Sequence, residues 1–269
     1  MSETTSTADR TSINFKPGTP SWVDVSSTDV PAARDFYTKL FGWQAQDLPE
    51  DAGGYIMFAL DGAVVAALGA VQGEGQPSAW MVYFSTADAD ETTRKVEAAG
   101  GKVIAPVFDV LDAGRMGVFA DPTGAFFAVW QAGTTKGVGK LNEPNAFGWC
   151  ELNTRGVDKA AEFYKQVFGW DAHLSAASEA VGGGPRYTEW KLDGERLGGA
   201  MDMADTQMPE GIPPHWLVYF ISSDIQATVA KVGELGGAVM MEPTDYPGGQ
   251  FAVVADPVGA AFGLMTPGE

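Results

Sequence analysis

The feature that most constrains the fold of this chain is an internal repeat. Residues 35–43 contain Phe-Tyr followed by Phe-Gly-Trp, and the same pattern returns 127 residues later. The matched segments are 35–43 with 162–170, 80–84 with 216–220, and 121–125 with 256–260. Their order is kept while the spacing drifts by a few residues, as duplication followed by loop insertion produces. The 269 residues are therefore predicted to form two copies of one domain, each long enough to bury a core.

Hydrophobic periodicity predicts the same order of elements in both copies: a strand, a helix and three strands, given twice. The first helix begins at Pro31 and ends before Gly42, and the pair Asp61-Gly62 is typical of a two-residue hairpin turn. In the first copy the predicted helices cover 31–40 and 88–99, and the located strands cover 22–26, 55–60, 63–70, 80–86, 102–107, 115–120 and 125–131. The predicted organisation is a disordered tail over 1–18, a first domain over 19–131, a linker over 132–145 and a second domain over 146–267.

Composition and charge exclude several classes of function. The formal net charge of −18 argues against nucleic acid and anionic membrane surfaces as partners, because both are bound through clustered Lys and Arg. No apolar run is long enough to span a bilayer, and no signal-peptide pattern opens the chain. The single Cys150 excludes an intramolecular disulfide and is predicted to be a buried structural thiol. These features favour a cytoplasmic location.

The repeated motifs resemble those of the vicinal oxygen chelate superfamily, which comprises glyoxalase, bleomycin-resistance and dioxygenase-type proteins, in its tandem two-domain actinobacterial form. The matching features are Val30-Pro31 after a strand, the Phe-Tyr…Phe-Gly-Trp helix end and the Asp-Pro-x-Gly turn before the last strand. The resemblance implies an α+β fold of two tandem glyoxalase-like domains. Each domain would consist of two βαβββ modules that curl a mixed sheet into a cup with the ligand inside.

Metal-dependent members of the superfamily place His, Gln or Glu at three positions on the cup strands. Carried onto this sequence, these positions hold side chains that do not bind a divalent cation in the usual way: Trp22, Met81 and Ala128 in the first copy, and Trp149, Leu217 and Gly263 in the second. The sequence therefore predicts no metal and no cofactor.

Strand alternation predicts which side chains face the cups, since every second residue shares a face. Val23, Val25, Cys150 and Leu152 are expected to pack under helices, whereas the residues between them look into the cups. Asp24 and Glu151 would then occupy equivalent inward positions, two residues after Trp22 and Trp149. A carboxylate there is either a general base or hydrogen-bond anchor, or a structural carboxylate satisfied by its neighbours.

Other candidate ligand-binding residues lie on the remaining cup strands. Tyr83 and Tyr219 are expected to face the cups, as hydrogen-bond donors or as core. Arg115 is the predicted partner of Asp24, and Gln250 stands at the matching place in the second copy. His215, at the rim of the second cup, is a candidate base, but with Glu151 alone it supplies too few ligands for zinc or iron. An aromatic and methionine lining is predicted from Trp22, Trp80, Met81, Trp130, Trp149, Trp216 and Met265.

Three hypotheses of function remain open at this point. The first is a metal-free protein that binds an apolar or aromatic small molecule in its cups. The second is a glyoxalase-type lyase, or a dioxygenase- or hydroxylase-like enzyme, that uses Asp24, Glu151 or His215 for proton transfer or holds a metal at an unconventional site. The third is a decayed, structural or host-facing protein whose cups are filled by its own side chains. The expected partner is a small molecule, and the chain is expected to be a monomer or a homodimer.

Overall fold

The computed structural model describes residues 13–49, 53–175, 178, 186–206 and 208–267. They form two eight-stranded mixed sheets, one in each half of the chain. The elements of the first half are β1 Pro20–Ser27, α1 Val30–Phe41, β2 Gln44–Asp47, β3 Ile56–Leu60, β4 Ala63–Ala70, β5 Ala79–Ser85, α2 Ala89–Ala98, β6 Lys102–Val110, β7 Gly114–Ala120 and β8 Phe126–Ala132. Those of the second half are β9 Phe147–Thr154, α3 Val157–Phe168, β10 Asp171–Leu174, β11 Tyr187–Leu192, β12 Glu195–Asp202, β13 His215–Ile221, α4 Ile225–Glu234, β14 Ala238–Tyr246, β15 Gly249–Ala255 and β16 Ala261–Met265.

The two sheets have the same topology. The strand order is β2-β3-β4-β1-β5-β8-β7-β6 in the first sheet and β10-β11-β12-β9-β13-β16-β15-β14 in the second. The first strand of each half runs parallel to the fourth and antiparallel to the fifth. The predicted α+β fold of two tandem glyoxalase-like domains is confirmed. The short, polar edge strands β2 and β10 were not located from the sequence.

Local sequence signals begin and end the helices. The Asp29 carboxylate accepts a hydrogen bond from the Ala32 amide at the start of α1, and Asp224 does the same for Ala227 at the start of α4. Gly42 and Gly169 end α1 and α3 with φ of 70° and 77°, a left-handed conformation that glycine adopts without steric cost.

A single buried core joins the outer faces of the two sheets. Val23, Val25, Cys150 and Leu152 belong to it, as alternation predicts. The first helix of each half packs against the other half: the Phe36 ring lies 6.3 Å from that of Phe262, and the Phe163 ring lies 6.0 Å from that of Phe127. The two copies therefore share one hydrophobic core.

The repeated motifs meet in this shared core. The Tyr37 hydroxyl donates to Asp256 at 3.1 Å and accepts from the Trp80 indole at 2.9 Å. In the symmetric arrangement, the Tyr164 hydroxyl donates to Asp121 at 3.1 Å and accepts from Trp216 at 2.9 Å. Each Asp-Pro-x-Gly aspartate also caps its own turn. Trp80 and Trp216 thus belong to the interface between the halves, which corrects their predicted place in the cup lining.

The segment predicted as a linker packs against the first sheet. Val138 is buried, its amide donates to the Ser21 carbonyl at 2.9 Å, and the Gly139 amide donates to the Val64 carbonyl at 2.6 Å. Val138 belongs to a cluster of buried side chains with Trp22 and Tyr83, and Phe15, from the described part of the predicted tail, packs against this cluster. Residues 1–12 of that tail lie outside the described residues. We call residues 133–141 the strap.

Candidate functional site

The inner face of the first sheet, opposite the helices, carries a buried carboxyl group between two tyrosines. Asp24 lies on β1, and its Oδ2 atom accepts a hydrogen bond from the Tyr55 hydroxyl at 2.6 Å and from the Tyr83 hydroxyl at 2.8 Å. The Trp22 indole N–H in turn lies 3.4 Å from the Tyr55 hydroxyl. We call this inner face the first cup and the corresponding face of the second sheet the second cup.

The environment of Asp24 favours the protonated acid. Burial raises its pKa from 3.8 to about 6, and the two tyrosine hydrogen bonds only partly oppose this effect. Both tyrosine bonds reach Oδ2, and Oδ1 has no hydrogen-bond partner among the described residues. The group therefore has one oxygen held by the protein and one that faces the cup.

The second cup repeats this arrangement with glutamate in place of aspartate. The Tyr219 hydroxyl donates to Glu151 Oε1 at 3.2 Å, the Tyr187 hydroxyl lies close to the same carboxyl group, and the Trp149 indole donates to Tyr187 at 2.8 Å. Burial raises the pKa of Glu151, against the hydrogen bonds of Tyr187, Asn153 and Tyr219. Each cup therefore contains one Trp–Tyr–carboxyl–Tyr cluster.

Two glycines make room for the tyrosines of the second cup. A Cβ atom at Gly199 would lie 2.0 Å from the Tyr187 hydroxyl, and one at Gly263 would lie 2.1 Å from the Tyr219 ring. Gly263 stands at one of the metal-ligand positions of the resemblance, so the tyrosine ring takes the space that a ligand side chain there would need.

Sequence reasoning missed Tyr55 and Tyr187. Tyr55 stands just before β3 and Tyr187 begins β11, 132 residues further along the chain. The internal repeat therefore contained the information that these two tyrosines are equivalent. Their contact with the carboxyl group crosses two strand pairings, through β4 in the first sheet and β12 in the second. Trp22, Asp24 and Tyr83 do come together as predicted, as do Trp149, Glu151 and Tyr219.

The predicted pairing of Arg115 with Asp24 does not form. Arg115 binds Asp90 at 2.7 Å and Asp109 at 3.0 Å, because its neighbours Met116 and Val118, not Arg115 itself, pack in the first cup. Gln250 likewise shares the alternation of the buried outer residues Ala252 and Val254, and it donates to Asp245 at 2.8 Å. Both side chains therefore lie on the outer face of their sheets.

His215 lies at the start of β13, paired with Asn153 of β9. It shares the alternation of Leu217 and Tyr219, which places it on the second cup face as predicted. Its Nδ1 atom lies 2.9 Å from the Pro213 carbonyl oxygen, and burial lowers its pKa.

The residues present do not fit a divalent metal. The ligand positions of the resemblance lie together on the cup faces, as the pairing of Asp24 with Met81 and of Tyr83 with Ala128 shows. The side chains at the ligand positions themselves provide no set of donors for a metal ion. The described part of the chain contains no cluster of three or more His, Cys, Asp or Glu side chains that would hold a metal ion. Cys150 is buried on the outer face, and burial raises the pKa of its thiol, so it stays protonated.

A match to a family model gives the classification of this chain. The model of the glyoxalase/bleomycin resistance protein/dioxygenase superfamily matches residues 19–129 and again 146–264. The chain belongs to this superfamily. Within the described residues, no helix is both long and apolar enough to cross a membrane.

Relatives in the superfamily match the chain over nearly its whole length. The anthracycline biosynthesis protein DnrV of Streptomyces peucetius is 40% identical, over 93% of this chain and 94% of the relative. The putative glyoxylase CFP32 of Mycobacterium tuberculosis is 42% identical, over 94% of this chain and 96% of the relative. Among solved structures, the Mn(II)-bound glyoxalase from Novosphingobium aromaticivorans matches with a TM-score of 0.65 at 16% identity, covering 94% of this chain and 83% of that one. This last likeness shows the fold.

Proposed function

We propose that this superfamily member binds an apolar or aromatic small molecule in its cups without a metal, and that Asp24 and Glu151 are the polar anchors. The observation that supports this proposal is the Trp–Tyr–carboxyl–Tyr cluster, which both copies carry. A buried carboxyl group costs free energy that an apolar residue in the same place would not. Two copies that have diverged elsewhere and keep such a group support a role in ligand binding.

Apolar side chains on the cup faces support the choice of ligand. Phe108 is 48% exposed and paired with Met116, and Phe126 is 52% exposed and shares the alternation of Ala128. In the second cup the exposed apolar residue Met241 is paired with Val253. Exposed apolar surface beside a few polar groups is typical of sites that bind apolar ligands.

One relative points to the same chemical class. DnrV is named for anthracycline biosynthesis, and an anthracycline is a flat, polycyclic aromatic molecule. The aromatic and methionine side chains of the cups suit such a shape. We therefore propose polycyclic aromatic compounds as the first ligands to test.

Asp24 supports a second candidate function, an enzyme that transfers protons. With its pKa at about 6 and Oδ1 facing the cup, Asp24 is suited to act as a base or acid near neutral pH. A lyase or oxygenase reaction of the superfamily would use it in this way, and CFP32 carries the name of a putative glyoxylase. Activity of this kind should fall at least 100-fold in Asp24→Asn.

Binding is tested by thermal shift and isothermal titration calorimetry with naphthalene-, anthraquinone- and anthracycline-type compounds. A true ligand raises the unfolding midpoint by mass action. Asp24→Asn and Glu151→Gln should remain folded but weaken binding, while Asp171→Asn, on the exposed strand β10, serves as the matched control. If no compound raises the midpoint, or if both cup variants bind as the unaltered protein does, the carboxyl groups are structural.

We further propose boundaries of 19–131 and 146–267 for the two domains and a cytoplasmic location, with no nucleic-acid partner. The acidic net charge supports the last point. Size-exclusion chromatography with light scattering decides between monomer and homodimer.

A further inference from the structure

The two cups differ beside their carboxyl groups. Two residues after Glu151 stands Asn153, and the residue paired with it on β13 is His215. At the matching places the first cup has Ser26 paired with Ala79. Only the second cup therefore adds an amide and an imidazole to its carboxyl group.

Asn153 presents an unsatisfied acceptor. The residue is fully buried, and its Oδ1 atom has no hydrogen-bond partner among the described residues. Its Nδ2 atom donates to Glu151 Oε1 at 3.2 Å, which orients the amide, because a carboxylate oxygen accepts and an amide oxygen cannot donate. Buried polar atoms nearly always have a partner, so the lone oxygen points to a ligand donor in this part of the cup.

His215 presents a second acceptor. Its Nδ1 atom lies 2.9 Å from the Pro213 carbonyl oxygen, which can only accept, so Nδ1 carries the proton. The neutral ring then offers the lone pair of Nε2, for which the described residues provide no donor. Residues paired across antiparallel strands have Cβ atoms about 4.5–5.5 Å apart, so His215 and Asn153 can hydrogen-bond to the same ligand group.

Several donor side chains near Glu151 already have acceptors among the described residues. The Tyr219 hydroxyl donates to its carboxyl group, and the Tyr187 hydroxyl lies close to it. The cations Lys191 and Arg196 are paired with Glu189 at 3.3 and 3.5 Å. Glu189 is separated from Glu151 by the Gly199 position of β12.

We propose that the second cup selects a ligand whose apolar body carries a primary amine, bound as an ammonium group by Glu151, Asn153 Oδ1 and His215 Nε2. An ammonium group has three N–H donors and no acceptor, which complements three acceptors. The net charge of −18 also favours the approach of a cation. This inference rests on the proposed function, since it requires the cup to be a ligand site.

The test compares two probes that share one aromatic body, 1-naphthylmethylamine and 1-naphthalenemethanol, by isothermal titration calorimetry at pH 7.5 and low salt. We expect the amine to bind at least tenfold more tightly than the alcohol. Asn153→Leu and His215→Phe should each reduce this preference at least fivefold. Ser26→Ala, the matched change in the first cup, should leave it unchanged.

If Asn153→Leu fails to fold, His215→Phe still tests the inference, because His215 is only half-buried and tolerates replacement better than Asn153. Equal affinity for both probes, or an amine preference that survives in every folded variant, overturns the inference and leaves the proposed function standing. If neither probe binds, the inference fails, and the proposed function is decided separately by the anthraquinone- and anthracycline-type compounds of its own test.

Discussion

Replacing Asp24 by Asn is expected to stabilise the protein at neutral pH and to have little effect in acid. In the folded state this carboxyl group is buried beneath Tyr55 and Tyr83, and burial holds its pKa at about 6 rather than 3.8. Asn keeps the shape and an oxygen that accepts from both hydroxyls, but it never carries the charge.

The magnitude follows from proton linkage. The folded protein binds the Asp24 proton more tightly than the unfolded chain does, so the contribution of this group to stability is complete below pH 3.8. It is lost as the pH rises from 3.8 to about 6. At about 1.4 kcal/mol for each pKa unit, the ionised group destabilises the fold by roughly 3 kcal/mol at pH 8. Asp24→Asn should recover up to about this free energy at pH 8 and almost none of it at pH 3.5.

Urea denaturation followed by fluorescence at several pH values measures the difference in the free energy of unfolding between Asp24→Asn and the unaltered protein. Asp171→Asn is the control, because its side chain is 59% exposed and the change should alter stability by less than about 0.5 kcal/mol at any pH. A variant that is less stable at pH 8, or a difference that does not grow between pH 3.5 and pH 7, would refute the reasoning.

Four further outcomes are expected. Tyr164→Phe removes the hydroxyl that joins Asp121 to Trp216 and should lower the free energy of unfolding by about 1–3 kcal/mol in urea denaturation; an unchanged midpoint would contradict that role. Gly263→Ala should lower the melting temperature, since its Cβ would lie 2.1 Å from the Tyr219 ring, whereas Gly211→Ala, with no atom within 4 Å, should not; equal melting temperatures would count against the cup geometry. Elemental analysis of the purified protein should find no stoichiometric divalent metal, and one zinc, nickel or iron ion per chain would show the reverse. Arg115→Ala should leave ligand affinity unchanged, because the guanidinium binds Asp90 and Asp109 on the outer face. Weaker ligand binding by this variant would show that Arg115 belongs to the binding site.

Alternation was a sound guide where one face of a strand differs in polarity from the other. On β1 and β9 the apolar residues Val23 and Leu152 alternate with Asp24 and Glu151, and the structure places the two sets on opposite faces. On β5 it also placed Tyr83 correctly on the cup face, although apolar side chains occupy both faces of this strand. Arg115 and Trp80 were misplaced because neither assignment used alternation: Arg115 was chosen for its place after a turn, and Trp80 was grouped with Met81 although adjacent strand residues face opposite sides.

The sequence by itself determined the duplicated architecture, the helix ends and the equivalence of Asp24 and Glu151, because each depends on residues close together in the chain or on one segment matched to another. Only the tertiary structure decided which residues complete the cups and which hold the halves together. Tyr55 reaches Asp24 across the sheet, and Tyr37 reaches Asp256 from the other copy. The physical reason is that such contacts depend on strand pairing and on how one half packs on the other, and neither leaves a local pattern in the chain.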